Sequence, residues 1–477
     1  MLLLKAEKLR ILQSEVQIGD PHVSSDNRNN LSIIFSVFEP LINYGEHGGF
    51  SPALAKRWEV SPDARTWVFH LRHPVSLHNG DLLRAQDVVD SLERVRDPNM
   101  GGELGSQGVY QSYLEGATIE TLGDRAVRIV SAEPFADLLD LLVLFPIVPS
   151  EAIEEITSTP WGSGPFRLAE AEPNLVVMDT FRDYWRGCPQ VKEIHWTAEP
   201  SAERRAEALL QGKADIVADL TPVGARRVET SGKARTSKLE SSVCTIFICN
   251  LLSGICTDRR VRQALNYALD VSSLIETVMD GAATPLNGPL TPLHFGRDPL
   301  VPSYSYSPEK ALELLREAGC EKGLDIVLDI PAILPDEAPR LAKLMAEQYE
   351  KVNIHTTIRE FKDRPKYAAM VRAKQIDDAC CFDSSPLSTY RLFREKFHSG
   401  AHGPWWQGYT NQQVDVLIDR ARATIDDARR QELYYRAYRL VRDDAPWIFL
   451  YNPVISWGMG PKAYAWAPRI DGLIRIM

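Results

Sequence analysis

The sequence has no long hydrophobic run and no excess of basic residues, and each absence excludes a class of protein. No apolar segment approaches the ~18 residues of a membrane-spanning helix. The most apolar stretch, Leu139–Val148, contains Pro146 and is expected to be a buried strand or helix end. Lys and Arg number 54 and Asp and Glu 64, so the net charge is −10. This balance argues against nucleic acid or an anionic membrane surface as a partner, because both require a basic face.

The sequence also lacks the short motifs of common catalytic, phosphate and metal sites. There is no Gly-x-Ser-x-Gly elbow for a nucleophilic serine and no Cys-x-x-Cys spacing for zinc. Gly162 and Gly164 lack the Lys-Ser/Thr of a phosphate loop, so they are typical of a structural turn. His398 and His402 lie among glycines rather than on a rigid helix face, which argues against a zinc site. We therefore expect no catalytic residue, no metal and no cofactor.

Seven cysteines make an odd number, which does not fit a complete disulfide framework. Cys380 and Cys381 are adjacent, and Cys244 and Cys249 are five apart, so each pair would point to opposite faces of a strand. We expect buried free thiols, and a single disulfide stays open as the alternative.

The first residues do not form an ordinary secretory signal, which needs a basic region followed by an apolar stretch of about 7–15 residues. The apolar run is only Leu2–Leu4, and charged residues follow directly. Leu9–Leu12 is already predicted as the first strand of the fold. A signal is therefore either missing from this sequence or the protein stays inside the cell.

The most informative segment is Pro52–Val95, where turns, a strand and a helix follow one another. Thr66–Arg72 alternates between apolar and polar residues, which predicts a strand with one buried face. Asn79-Gly80 tolerates positive φ and predicts a chain reversal. From Ala85 onward, apolar residues recur at helical spacing, which predicts an amphipathic helix. Its apolar stripe consists of Val88, Leu92 and Val95.

The residue choices in this segment resemble the signature of the family 5 extracellular solute-binding proteins, which carry peptides, nickel complexes and similar solutes to ABC importers. The matching positions are Leu54-Ala55, Trp58, Asp63, Trp67 to Arg72, Asn79-Gly80 and Ala85-Gln86-Asp87-Val88. Further matches are Leu9–His22, Phe38–Leu41, Trp161–Phe166, Asp183–Gly187, Gln211–Val217 and Val261–Asp270. So many matches are more specific than a lone glycine motif.

The resemblance implies an α/β protein with the type II periplasmic-binding-protein fold, built from two hinged lobes with an accessory subdomain in the first lobe. The predicted regions are 1–36, 160–245 and 456–477 for lobe I, 37–159 for the accessory subdomain, and 246–455 for lobe II. The hinge is expected near Cys244–Asn250, and Phe247 in that strand is a candidate ligand-binding residue. Strands and helices alternate in lobe II, which predicts a largely parallel sheet.

The resemblance also places the ligand in the cleft between the lobes, beside a loop that follows a lobe II strand. In peptide-binding members that loop reads Trp-x-x-Asp, then three residues and Pro, and the Asp pairs with the peptide's α-ammonium. Ala379–Tyr390 matches this loop, with Pro386 at the proline; Asp383 fits the acid if one residue is deleted, and the Trp is missing. Asp383 is thus a candidate for binding an ammonium or guanidinium group, with the hydroxyls of Ser384 and Ser385 beside it. The alternative is that Asp383 caps a turn with Ser385.

A basic residue and an aromatic loop downstream supply the other candidates. They are Arg391, Trp405, Trp406 and Tyr409. A guanidinium fork matches a ligand carboxylate, although an ion pair with Asp383 or Glu395 explains the arginine equally well. Flat aromatic rings can stack on rings or sugars or face a cation. We expect one of the two tryptophans to pack into the core of lobe II instead.

The predicted function is that of the soluble receptor of an ABC importer, which captures a peptide or peptide-like solute and delivers it to a membrane permease. The predicted partners are that ligand and the permease subunits. We expect a periplasmic monomer that neither inserts into a membrane nor catalyses a reaction. One alternative is a ligand sensor without a transport role, although too few residues precede the first strand for a helix-turn-helix head. Another is a hydrolase built on the same fold, which product formation would reveal.

Overall fold

A computed structural model describes residues 6–23, 27–45, 48–100, 109–333 and 335–477, with only the backbone of Val109. The apolar run Leu2–Leu4 lies outside the described residues. The chain divides into two compact units, of which unit 1 is Met1–Leu239 with Ile455–Met477 and unit 2 is Glu240–Val454. The lobe and subdomain boundaries expected from the sequence stay predictions. Among the described residues, no helix combines the length and apolarity needed to cross a bilayer.

Unit 1 combines a large sheet, smaller sheets and helices. Its strands are β1 (Ala6–Gln13), β2 (Glu39–Pro40), β3 (Ile42–Tyr44), β4 (Phe50–Pro52), β5 (Ala55–Val60), β6 (Thr66–Leu71), β7 (Thr118–Thr121), β8 (Ala126–Val130), β9 (Pro146–Ile147), β10 (Phe166–Glu172), β11 (Leu175–Thr180), β12 (Val191–Ala198), β13 (Ile216–Val217) and β14 (Arg235–Glu240), whose last residue belongs to unit 2. Its helices are α1 (Arg28–Val37), α2 (Ala85–Arg94), α3 (Val109–Leu114), α4 (Leu138–Leu142), α5 (Ala202–Leu210) and α6 (Pro222–Ser231).

Unit 2 consists of one sheet and a larger set of helices. Its strands are β15 (Cys244–Cys249), β16 (Ala283–Pro285), β17 (Leu324–Pro331), β18 (Ile354–Phe361), β19 (Ala379–Ser384) and β20 (Trp447–Met459), whose last five residues belong to unit 1. Its helices are α7 (Arg259–Tyr267), α8 (Val271–Met279), α9 (Pro308–Glu317), α10 (Ala338–Tyr349), α11 (Arg364–Arg372), α12 (Thr389–Phe397), α13 (Gln412–Arg422) and α14 (Asp427–Asp444).

The main sheet of unit 1 runs in the order β10-β11-β12-β1-β13, followed by the end of β20. β1 is parallel to both β12 and β13, whereas β11 is antiparallel to both of its neighbours, β10 and β12. Leu9 and Ile11 of β1 are fully buried in a hydrophobic cluster with Trp196 of β12. This confirms the first strand predicted from the sequence, because its apolar residues alternate as one buried face requires.

The Pro52–Val95 segment folds as its pattern predicts, within a second sheet of order β5-β6-β8-β7. Trp67, Phe69 and Leu71 of β6 are buried and alternate with partly exposed residues. Gly80 has a φ of 96°, which residues with a Cβ rarely adopt, so the chain reverses at this glycine. Helix α2 then buries Val88 and Leu92.

Gly162 and Gly164 permit close backbone packing against the end of α1. A Cβ atom on Gly162 would lie 2.5 Å from the carbonyl oxygen of Val37, and one on Gly164 would lie 2.6 Å from that of Ser36. No side chain fits at such separations. The prediction of a structural turn is therefore confirmed, and backbone packing explains both glycines.

The sheet of unit 2 runs in the order β20-β15-β19-β17-β18, with β16 beside β20. β17 is parallel to β18 and β19, but β15 is antiparallel to both of its neighbours. The prediction of a largely parallel sheet is therefore wrong, because the sheet is mixed. Crossover helices fix the direction of β17, β18 and β19, whereas β15 and β20 are distant in sequence and no local pattern reveals their direction.

Two helices of unit 2 begin at residues whose side chains cap them. Asp258 accepts a hydrogen bond from the backbone N–H of Arg260 at the start of α7. Ser307 does the same for Lys310 at the start of α9, where Pro308 occupies the first helical position.

The seven cysteines are all free thiols, but they are not all buried. Cys188 is exposed and Cys320 is partly exposed, whereas the other five are buried. The expectation of buried thiols is therefore wrong for these two positions. Cys188 lies in a connection between strands and Cys320 directly follows a helix-terminating glycine, so neither has a sheet face against which to pack.

Candidate functional site

The candidate site is built on the row of polar residues at one end of the unit 2 sheet. Asp383, near the end of β19, lies opposite Thr245 of β15, and Thr245 lies opposite Tyr451 of β20. Residues directly opposite each other in antiparallel strands point to the same face. The hydroxyl of Tyr451 donates a hydrogen bond of 3.1 Å to Glu337, just before α10. The sheet therefore brings two carboxyl groups, Asp383 and Glu337, to one face.

The charge of Asp383 is only partly compensated by its neighbours. The closest cation is Arg364, whose Nη2 atom lies 3.6 Å from Oδ1 of Asp383. Burial raises the pKa of Asp383 to about 6, because desolvation outweighs the opposing effects of Arg364 and Lys396. The carboxyl group is consequently ionised at neutral pH and protonated in moderate acid.

Glu337 is a second carboxyl group with a perturbed pKa. Burial raises its pKa, although the hydrogen bond from Tyr451 opposes that shift. Glu337 also raises the pKa of Asp383, because two like charges in a partly buried site repel. Such a pair of carboxylates favours the binding of a cation that can donate hydrogen bonds to their oxygens.

The two serines beside Asp383 have different surroundings. Ser384 is completely buried, and its Oγ has no hydrogen-bond partner among the described residues. It follows Asp383 in the strand and so points to the opposite face of the sheet. Ser385 is partly exposed, and its carbonyl oxygen accepts a 2.8 Å hydrogen bond from Ser242. In the described structure no hydrogen bond joins Asp383 to Ser385, so the alternative of a turn cap gains no support.

Arg391 lies in an ion pair within helix α12. Its Nε atom donates a 2.8 Å hydrogen bond to Oε1 of Glu395, one helical turn further on, and both side chains are largely buried. This is the structural alternative considered for Arg391 from the sequence. A contact between Arg391 and a ligand carboxylate stays a prediction.

Trp405 packs into the interior of unit 2. It is 5% exposed, and its ring centroid lies 4.6 Å from that of Phe382 on β19. Two cations, Arg372 and Lys396, lie 5.6 and 5.9 Å from the ring centroid. The expectation that one tryptophan of the aromatic loop belongs to the core is confirmed.

The other aromatic candidates have partners within unit 2. Trp406 is partly exposed and donates a 2.6 Å hydrogen bond from its indole to the carbonyl oxygen of Tyr409. Its ring centroid lies 4.6 Å from that of His402, with the two rings tilted by 40°. Tyr409 is buried, and its hydroxyl donates to Asp444. Phe247 is fully buried in the core cluster of this unit. Their contacts with a ligand stay predictions, and Trp406 is the most accessible of the three.

The sequence did not reveal four charged or polar members of this site. They are Arg364, Lys396, Glu337 and Tyr451. Lys396 lies 5.0 Å from the ring centroid of Phe382, and the others come from separate segments that only the folded sheet assembles. Of these segments, only the Asp363-Arg364-Pro365 helix start had a recognisable local pattern, and that pattern indicates a cap rather than a binding site.

The two histidines near this loop do not converge on one point. Nε2 of His398 lies 3.2 Å from Oδ1 of Asp419, while the His402 ring packs at a tilt against Trp406. Within the part of the chain that the structure describes, no group of three His, Cys, Asp or Glu residues could hold a metal ion.

The sequence and the fold of this chain are similar to those of known proteins. The dipeptide-binding protein of Escherichia coli (strain K12) is 27% identical over 434 residues, covering 85% of this chain and 81% of that protein. Heme-binding protein A of Haemophilus influenzae is 25% identical over 461 residues, covering 89% and 81% of the two chains. The solved structure of the ABC transporter-associated periplasmic binding protein DppA from Helicobacter pylori, in complex with the peptide STSA, matches with a TM-score of 0.81 at 21% identity, over 96% of this chain and 94% of that one.

These likenesses confirm the predicted α/β architecture of the type II periplasmic binding proteins. Residues 49–387 match the family described as bacterial extracellular solute-binding proteins, family 5. That match includes the Pro52–Val95 signature and ends just after Asp383. Since it covers most of the chain, this protein belongs to family 5 of the bacterial extracellular solute-binding proteins.

Proposed function

We propose that this protein is the substrate-binding receptor of an ABC importer and that it captures a peptide or peptide-like solute through an ammonium group bound by Asp383. The named relatives include a dipeptide-binding protein and a structure bound to a peptide, which makes a peptide the first ligand class to test. Permease delivery, a periplasmic location and a monomeric state are part of the same proposal.

The geometry of Asp383 is the observation that carries the proposal. Its nearest cation, Arg364, lies at 3.6 Å, beyond the 2.7–3.2 Å of an N–H···O hydrogen bond. The side chain is 36% exposed, and among the described residues only the backbone N–H of Asp383 itself donates a hydrogen bond to its carboxylate. The oxygens of Asp383 therefore keep acceptor capacity for a donor brought by a ligand.

The charged residues around Asp383 determine which kind of ligand fits the site. Arg364 and Lys396 offset the charges of Asp383 and Glu337, so the site is close to neutral overall when all four groups are ionised. A zwitterionic ligand suits such a site better than a simple cation, because its ammonium can bind a carboxylate while its own carboxylate remains near a guanidinium or ammonium. A free peptide has both charges.

The experiment compares a free dipeptide with its N-acetylated form by calorimetric titration, using wild-type protein and Asp383→Asn. Acetylation removes the ammonium, and the substitution removes the carboxylate charge without a large change in shape. If the two groups bind each other, acetylation weakens binding to the wild type strongly but has little further effect on Asp383→Asn. Equal losses in both proteins would remove Asp383 from the ammonium site.

A further inference from the structure

Two hydrogen bonds fix the ring of His294 inside unit 2. This side chain lies between β16 and α9 and is 4% exposed. Its Nδ1 atom accepts a 3.1 Å hydrogen bond from the backbone N–H of Thr291, and its Nε2 atom lies 2.7 Å from the carbonyl oxygen of Pro386. A backbone N–H only donates and a carbonyl oxygen only accepts, so the ring proton lies on Nε2. Burial lowers the pKa of His294 to about 4, which keeps the ring in this neutral form at neutral pH.

Pro386 lies in the β19–α12 loop, which consists of residues 385–388. Its carbonyl oxygen accepts the bond from His294, and the carbonyl oxygen of Ser385 accepts a 2.8 Å hydrogen bond from Oγ of Ser242. Proline has a fixed φ and restricts the residue before it to extended conformations. These two bonds to consecutive carbonyl groups therefore define the path of the chain directly after β19.

The same loop borders the carboxylate of Asp383. Ser384 points to the opposite face of the sheet, so in an extended chain Ser385 returns to the face of Asp383. Both Asp383 and Ser385 are partly exposed. The β19–α12 loop thus supplies polar surface next to the proposed ammonium-binding group, and a shift of the loop changes that surface.

The segment that carries His294 is fixed against α14. Gly296 has a φ of 85°, and a Cβ atom on it would lie 2.4 Å from that of Tyr434. Two residues further on, the buried carboxylate of Asp298 accepts a 2.6 Å hydrogen bond from Nε of Arg439. The ring of His294 is therefore a firm support for the loop rather than a part of the loop itself.

We propose that His294 is a positioning residue for the ligand site, because its bond to Pro386 holds the β19–α12 loop in the conformation that receives a ligand beside Asp383. This inference rests on the proposed function. Pro386 is buried, so removal of the donor leaves its carbonyl oxygen unsatisfied unless the loop moves toward water. A loop that spends less time in the receptive conformation lowers the observed affinity in proportion.

The test uses two substitutions that separate the two bonds of the ring. A glutamine amide reaches about as far as Nε2, so His294→Gln keeps a donor for Pro386. An asparagine amide reaches about as far as Nδ1, so His294→Asn keeps an acceptor for Thr291 but no donor for Pro386. In calorimetric titration with alanyl-alanine, His294→Asn should raise the dissociation constant roughly 5- to 100-fold, whereas His294→Gln should stay within about threefold of the wild type.

Hydrogen exchange of the ligand-free proteins reports on the loop directly. The backbone amides of residues 384–388 should exchange faster in His294→Asn than in the wild type or His294→Gln. Ser307→Ala is the control, because it removes the cap of α9 and lowers stability elsewhere in unit 2. It should change neither the affinity for alanyl-alanine nor the exchange of the loop.

Ser242→Ala removes the other donor to the loop from a partly exposed position. It should also speed exchange of the loop and weaken binding, and it keeps the test decisive if a His294 variant does not fold. Wild-type affinity in His294→Asn, equal losses in His294→Asn and His294→Gln, or wild-type exchange and affinity in Ser242→Ala would overturn the inference. A wild type that binds no dipeptide would instead contradict the proposed function, and exchange would still decide whether His294 holds the loop.

Discussion

The affinity of this protein for an amino-bearing peptide should depend on pH through Asp383. Its pKa of about 6 means that about nine-tenths of the carboxyl groups are ionised at pH 7 and about one-tenth at pH 5. An ammonium ligand binds the ionised form, so its dissociation constant should rise about tenfold between these two values. That change corresponds to about 1.4 kcal/mol.

Substitution of Asp383 sets the upper limit of its contribution to ligand binding. Asp383→Asn replaces a charge-assisted hydrogen bond of roughly 1.5–3 kcal/mol by a neutral contact, which weakens binding by about 10–150-fold at pH 7. The remaining charged neighbours are Arg364 and Lys396. Glu337, whose pKa is also raised, is the other carboxyl group that could contribute.

The assay is isothermal titration calorimetry with alanyl-alanine between pH 5 and pH 7, a range in which the peptide's own end groups do not titrate. Wild-type protein is compared with Asp383→Asn and with Glu432→Gln, which removes an exposed carboxyl group of α14. The wild type and Glu432→Gln should show the tenfold change, and Asp383→Asn should not. If Asp383→Asn binds with wild-type affinity and the same pH profile, the role given to Asp383 is wrong.

Four further outcomes follow from the same structure. The pKa of Asp383 in the folded protein lies above its usual value of 3.8, so the native state binds more protons than the unfolded state between about pH 4 and pH 6. The free energy of unfolding should therefore fall as pH rises through that range. In urea unfolding, Asp383→Asn should show a smaller fall than the wild type. Trp405→Ala should destabilise the fold by about 3–5 kcal/mol in the same measurement, since it empties a buried site against Phe382. Ligand addition should change tryptophan fluorescence, and Trp406→Phe should remove part of that change without a comparable loss of stability. Arg262→Met should cost about 3 kcal/mol or more in urea unfolding, because its guanidinium bonds the carbonyl oxygens of Cys256, Thr257, Asp444 and Ala445.

Local sequence patterns predicted the separate elements well because each depends on neighbouring residues. The alternation in β6 and the apolar stripe of α2 depend on only a few neighbouring positions, and both are present in the structure. The direction of β15 is different, since its neighbours β19 and β20 lie more than a hundred residues away in sequence. Strand pairing over such distances is set by the whole fold, which is why the parallel sheet was a wrong expectation.

The candidate site was predictable only where the family resemblance marked it. Pro386 and the approximate match of Asp383 located the loop, but nothing near Glu337 or Tyr451 indicated that they approach Asp383. The aromatic loop was predicted in part, because one of its tryptophans was expected in the core and Trp405 is that residue. The hydrogen bond from Tyr409 to Asp444 joins two segments that only the fold brings together, so the sequence did not indicate it.

The central claim is that the protein binds an amino-bearing peptide or peptide-like solute and releases it chemically unchanged. Native mass spectrometry of protein incubated with a defined mixture of free dipeptides, followed by denaturation and mass analysis of what is released, tests this directly. We expect one or more intact dipeptides bound to the wild type and much less bound to Asp383→Asn. Release of hydrolysed products, or equal retention by both proteins, would contradict the account.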